Sequence, residues 1–227
     1  MSQRAEQTLE RLQSLANPQN VAGMKRYGIS THNTLGISIY TLRPLAKEIG
    51  VDHALALELW ESGIHEARIL ASYIDDPKLV TDEQMERWVA DFDSWDVCDQ
   101  VCSSLFDRTS FAYNKAHQWS ERQEEFVKRA GFVLMAALAV HDKKAPDEQF
   151  EAFLPIITRH ATDGRNFVKK AVNWALRQIG KRNQRLNELA IQTGHEIQQI
   201  DSPAARWIAA DALRELSSEK VQKRLRH

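Results

Sequence analysis

The residues best placed for chemistry lie in one short stretch, Asp91-Phe92-Asp93-Ser94-Trp95-Asp96-Val97-Cys98-Asp99-Gln100-Val101. Four carboxylates surround one tryptophan within nine residues. Acidic side chains are favoured near a helix N-terminus, at the positive end of the aligned peptide dipoles, and that accounts for Asp93 and Asp96. Asp99 needs a different reason. It follows Trp95 by four residues, so on a helix both side chains leave from one face, beside apolar Val97, Cys98 and Val101. If that face lines a concave surface, Asp99 is a carboxylate beside an indole in a cleft.

Other chemistries find less support. Cys98 and Cys102 are the only cysteines and sit four apart. A structural zinc needs four ligands, and no second Cys or His pair with ligand spacing follows, so the two read as small buried residues. His65-Glu66 starts a metalloprotease-like helix motif, but position 69 is Ile where the second His belongs. The eight histidines are scattered, no Ser/His/Asp logic emerges among them, and no glycine-rich phosphate loop is present. Charge is the second informative feature. Residues 1–110 carry 10 Lys+Arg against 17 Asp+Glu, and residues 111–227 carry 20 against 14, although the whole chain has a net charge of −1. Arg165, Lys169, Lys170, Arg177, Lys181, Arg182 and Arg185 follow one another with no acidic residue between them. Such an asymmetry suggests an anionic partner for the second half, or, more plainly, a solvated helix face.

Helices must position these groups. Only 9 Gly and 6 Pro punctuate 227 residues, and helical rather than alternating spacing prevails. Phe126 to Val140 is almost continuously apolar, as in a helix buried on most sides, and Phe150, Phe153, Leu154, Ile156 and Ile157 form an amphipathic stripe. Thr81 before Asp82-Glu83, and Ser202 before Pro203, fit helix starts. About a dozen helices of about 10–18 residues are expected, joined by turns such as Asp75-Asp76-Pro77 and Lys144-Ala145-Pro146. They also look alike. Lys128-Arg129-Ala130, Lys169-Lys170-Ala171 and Ala205-Arg206-Trp207 each precede an Ala/Leu-rich run, with His65-Glu66-Ala67-Arg68 as an earlier copy. Ala130 and Ala171 are 41 apart, and the Ala-Leu pairs at 175 and 212 are 37 apart. A period near 40 with two helices per unit is the mark of HEAT or armadillo stacking. The expectation is an all-α superhelical solenoid of about six such repeats, spanning 1–227 as a single domain.

Composition agrees: 43% hydrophobic, 27% charged and 8% aromatic is that of a globular chain. No apolar run approaches the ~18 residues that span a bilayer, so no membrane partner is expected. The charged start, MSQRAEQTLERLQ, lacks the apolar stretch of a signal peptide, and with sparse cysteines a cytoplasmic location is expected.

Nearly end to end, the chain resembles the AlkD-type DNA glycosylases, HEAT-like-repeat proteins of DNA alkylation repair. The resemblance is carried by Met24-Lys25-Arg26-Tyr27, Leu35-Gly36-Ile37, Leu42-Arg43-Pro44-Leu45-Ala46-Lys47-Glu48, Glu58-Leu59-Trp60, Ser94 to Asp99, Lys128-Arg129-Ala130 and Phe167 to Arg177. Each is short, and their order over about 150 residues makes the match specific. The resemblance implies that Asp99 is the catalytic aspartate, with Trp95 its aromatic neighbour. It implies that Arg129 supports the DNA backbone and the catalytic face, that Trp174 faces the deoxyribose of the lesion, and that Tyr27 lies near the lesion. Ser94 departs from members that carry a second tryptophan there.

The implied activity is hydrolytic excision of cationic N3- or N7-alkylated purines from double-stranded DNA, the opening step of base excision repair. As the glycosidic bond stretches, positive charge grows on the sugar. A carboxylate at Asp99 would stabilise that charge and orient water, while Trp95 and Trp174 offer π faces. Lys25, Arg26, Arg165, Lys169, Lys170, Arg177, Lys181 and Arg182 would contact the phosphates. No metal, cofactor or obligate protein partner is implied, and a monomer is expected. Two alternatives stay open: a non-catalytic HEAT-like protein binding branched or damaged DNA, and a protein-binding HEAT scaffold.

Overall fold

Helix starts follow local capping chemistry throughout. In the computed structural model, which describes residues 1–226, the side chains of Ser2, Asn17, Ser38, Asp52, Thr81, Asn183, Ser202 and Ser218 each accept a hydrogen bond from a backbone N–H of the first turn that follows. The starts expected at Thr81 and Ser202 are among them, and among the described residues there is no strand.

The chain divides into two compact units, Met1–Phe111 and a second from Ala112 onward. The boundary falls where the charge changes sign. The first unit holds α1 (Gln3–Ser14), α2 (Pro18–Met24), α3 (Ile39–Ile49), α4 (His53–Glu61), α5 (His65–Ile74), α6 (Asp82–Ala90) and α7 (Trp95–Ser104), with short 3-10 turns at Lys25–Tyr27 and Phe106–Arg108. Its core is aromatic. Trp60 of α4 and Trp88 of α6 stack with ring centroids 3.9 Å apart, and Phe92 and Phe106 close around them. The Trp60 indole N–H finds a partner as well, donating to Asp91 Oδ2 at 2.7 Å.

The second unit holds α8 (Ala112–Ser120), α9 (Glu125–His141), α10 (Asp147–Glu151), α11 (Leu154–His160), α12 (Asn166–Gly180), α13 (Gln184–Gln198), α14 (Pro203–Leu216) and α15 (Glu219–Leu225). Helix α9 is buried without a break from Val127 to Ala139, as its apolar run requires, because α8 and α12 flank it. At Gly131 the end of α8 comes so close that a Cβ would lie 2.4 Å from the Ser120 backbone nitrogen. The repeat is physical as well as sequential. Phe126-Val127-Lys128-Arg129-Ala130 of α9 and Phe167-Val168-Lys169-Lys170-Ala171 of α12 pack together, with the Phe126 and Phe167 rings 5.5 Å apart.

One expectation needs correction. Phe150, Phe153, Leu154, Ile156 and Ile157 are all buried, but on two short helices and the link between them, where Phe153 lies, instead of on one helix. Pro155 has no N–H, and its ring excludes the carbonyl four residues back, at Glu151, where α10 stops. Breaks of this kind give fifteen helices among the described residues, several under ten residues long, against about a dozen longer ones expected.

Candidate functional site

Two groups of residues emerge, one in each unit. In the first unit they gather at the start of α7. Ser94 is its N-cap residue, yet its hydroxyl does not cap: it donates to Asp96 Oδ1 at 2.6 Å and accepts from Ser30 N at 3.1 Å. The second oxygen of Asp96 meets His65 Nε2 of α5 at 2.8 Å. Burial works against the charge on both partners, but their mutual hydrogen bond prevails. Asp96 is held below the usual carboxylate range and His65 is raised above the usual histidine value. Charge on both sides thus pins the first turn of α7.

Trp95 is fixed by a different bond, from its Nε1 to the carbonyl of Tyr27 at 3.0 Å. Trp95 and Asp99 are both half-buried, whereas Val97, Cys98, Val101 and Cys102 are buried beneath them. The i,i+4 pair therefore sits on the outward side of α7, and Ser103 Oγ donates to the Asp99 carbonyl one turn on. Burial pushes the Cys102 thiol up, which keeps it an unreactive packing group.

The segment carrying Tyr27 owes its course to a residue that spacing alone discarded. Glu66 is fully buried, and its carboxylate accepts from Leu35 N (2.8 Å), Gly36 N (2.6 Å) and Ile37 N (3.1 Å). Gly36 has φ of +78°, and a Cβ there would lie 2.3 Å from the Asn17 carbonyl oxygen, so only glycine fits. His65 and Glu66 are thus not a fragment of a metal motif. One pins α7, and the other pins the loop before α3. The available signal was a charged pair set in an apolar helix, Ile64 to Leu70, where each charge needs a partner. Lys25, Arg26 and Tyr27 lie exposed on their 3-10 turn, Tyr27 at 74%.

In the second unit, Arg129 is buried in α9 and donates from Nη1 to the Phe167 carbonyl at 2.6 Å, at the start of α12. Trp174 is half-buried on α12. The basic run proves uneven. Arg165 holds Asp163 through two bonds, at 3.0 and 2.6 Å, and donates to the Gln123 carbonyl. Arg177 reaches Asp211 (3.2 Å) and Glu215 (2.8 Å), Lys181 reaches Glu215 (2.6 Å), and Arg185 reaches Glu151 (2.7 Å). Arg182 donates to the carbonyls of Ala139 and Ala145 and lies over the Phe150 ring at 4.1 Å. Lys170 is exposed, and Lys169 Nζ sits 4.7 Å from the Trp207 ring centre. Neither lysine has a carboxylate partner among the described residues. Reading along the chain could not show this, because Asp211 and Glu215 approach from α14, a full repeat away.

Comparison with known proteins gives a consistent result. A family model described as DNA alkylation repair enzyme matches residues 8–216. A relative from Listeria innocua serovar 6a (strain ATCC BAA-680 / CLIP 11262), the uncharacterized protein Lin0241, is 24% identical over 193 residues, covering 83% of this chain and 84% of that one. A solved structure described as "a new family of proteins related to the HEAT-like repeat DNA glycosylases with affinity for branched DNA structures" superposes with a TM-score of 0.78 at 19% identity, covering 97% of this chain and 95% of that one. At that identity the likeness establishes the fold, one of HEAT-like helical repeats.

Proposed function

The chain belongs to the DNA alkylation repair enzyme family, and on that footing we propose that it is a monofunctional DNA glycosylase for cationic N3- and N7-alkylated purines, with Asp99 as its key group. The observation that carries this reading is the placement of Trp95 and Asp99, half-buried together on the outward side of α7 while their apolar neighbours fill the core.

The reaction breaks the bond between C1′ and the purine nitrogen. Its electron pair moves onto the base and cancels the base's positive charge, so the leaving group needs little help. Positive charge appears instead on the deoxyribose. The Asp99 carboxylate stabilises it and orients a water, whose oxygen bonds to C1′ as one of its protons passes to that carboxylate. Trp95, on the same face of α7, offers a π face to that charge, worth about 0.5–2 kcal/mol. In this reading Lys169 and Lys170 carry most of the phosphate binding, with Lys25 and Arg26 adding to it. Arg165, Arg177, Lys181 and Arg182 chiefly brace the helices that present them. A single chain acts on one duplex.

The test is incubation with duplex DNA methylated at N3 of adenine and N7 of guanine. Release of the free methylated bases, leaving abasic sites in uncut strands, is the expected result. Absence of release would contradict it. Affinity for branched DNA without excision is a second reading, favoured by the likeness to a solved structure described in those terms. Tight binding to a junction with no base release would select it.

A further inference from the structure

We propose that Trp207, on α14, is a stacking platform for an unpaired nucleobase, so that the second unit grips DNA most firmly where a duplex adjoins a single strand. The inference rests on the DNA-binding reading above and adds a residue and a DNA form to it.

Three observations converge on this spot. Trp207 is the most exposed of the six tryptophans, at 40%, whereas Trp60, Trp88 and Trp119 are at most 1% exposed. A cation already sits on one side of its ring, Lys169 Nζ at 4.7 Å from the centre. That lysine and its neighbour Lys170 are the two residues of the basic run that lack a carboxylate or carbonyl partner among the described residues. Arg206 beside Trp207 is already tied to Asp201 at 2.9 Å, and Asp211 is tied to Arg177 and Asn173. The local field left over is positive.

Repeat arithmetic adds a direction. The 41-residue step from α9 to α12 carries Arg129 onto Lys170, and the 37-residue step from α12 to α14 carries Lys170 onto Trp207. Arg129 is buried and tied to the Phe167 carbonyl, so the exposed pair at equivalent positions of successive repeats is Lys170 followed by Trp207. Lysines that track a backbone followed by an aromatic that takes a base is how proteins hold single strands, because every base has a π face. Within a duplex those faces are covered by neighbouring bases and Trp207 has nothing to stack on. At a tail, fork or junction one is free.

Fluorescence anisotropy with a blunt duplex, and with the same duplex carrying a single-stranded tail, tests this on the full chain. Trp207→Ala should weaken binding to the tailed DNA at least about five-fold more than to the blunt duplex, the low end of what one base–aromatic stack contributes. Trp207→Phe, which keeps a ring, should restore most of that affinity. Equal weakening on both DNAs, no weakening on the tailed DNA, or failure of the phenylalanine variant to restore it would overturn the inference while leaving the glycosylase reading intact. If the parent chain binds neither DNA, the DNA-binding reading falls and this one with it.

Discussion

His65 and Asp96 show how a side chain that performs no chemistry can decide where the reactive ones stand. Their bond at 2.8 Å ties α5 to the first turn of α7, from which Trp95 and Asp99 project. Its stability has a pH window. Asp96 lies below its ordinary 3.8, so its contribution is present above that value and is lost as pH falls through the lowered one. His65 lies above its ordinary 6.5, so its contribution is full below that value and is lost as pH rises through the raised one. The clamp is thus strongest between about pH 4 and 6.5. Proton NMR titration of His65 checks this: its midpoint should lie above 6.5 in the parent and below it in Asp96→Asn, where burial acts against the charge without its chief opponent. A parent midpoint at or below 6.5 would contradict the account. The Trp95/Asp99 pair was legible in the sequence because i,i+4 spacing sets a helical face regardless of what lies around it. The roles of His65 and Glu66 were not, because both depend on loops and helices about 30 residues away.

At the scale of the elements, the capping residues and the long apolar run of α9 could be read directly, since both depend on neighbours within a few positions. The repeat was legible too, and it proved to be packing: the copies of the Phe-Val-Lys pattern lie against each other in α9 and α12. What could not be read was how closely two backbones approach. Gly131 sits inside the most buried helix, where alanine would normally gain up to about 1 kcal/mol in helix propensity. The Ser120 backbone, 2.4 Å from where a Cβ would be, reverses that sign. Gly131→Ala should therefore destabilise the protein by about 1–3 kcal/mol, because the obstructing atoms are main chain and cannot rotate away. Thermal unfolding should show a midpoint lower by several degrees, at about 2–4 °C per kcal/mol for a chain of this size. An unchanged or raised midpoint would mean that α8 shifts freely, and that its close approach is not the constraint described.

Across the whole molecule, charge is distributed by unit. The excess of acid in the first and of base in the second was plain in the sequence, and the boundary between the units falls at the same place. The number of usable cations was not plain, because acids one repeat away hold Arg177, Lys181 and Arg185, while Asp163 holds Arg165 and two backbone carbonyls hold Arg182. Binding to duplex DNA should weaken as salt rises, with a log–log slope set by the number of phosphates neutralised. Replacing Lys169 and Lys170 together by alanine should make that slope shallower by about 0.9 for each phosphate the variant leaves unneutralised. Lys181→Ala should change the slope little, since Glu215 holds that lysine at 2.6 Å. A larger change for Lys181 than for the Lys169/Lys170 pair would overturn the division of labour along the run.

Base release from methylated duplex DNA, measured for the parent and for Asp99→Asn, tests the central claim most directly. Removing the carboxylate's charge while keeping its shape should slow release by about 100-fold or more, the scale on which a single electrostatic stabiliser of a transition state acts. DNA binding by the variant should stay equal to the parent's or become slightly tighter. Release by Asp99→Asn at the parent's rate would contradict the claim and remove Asp99 from the reaction.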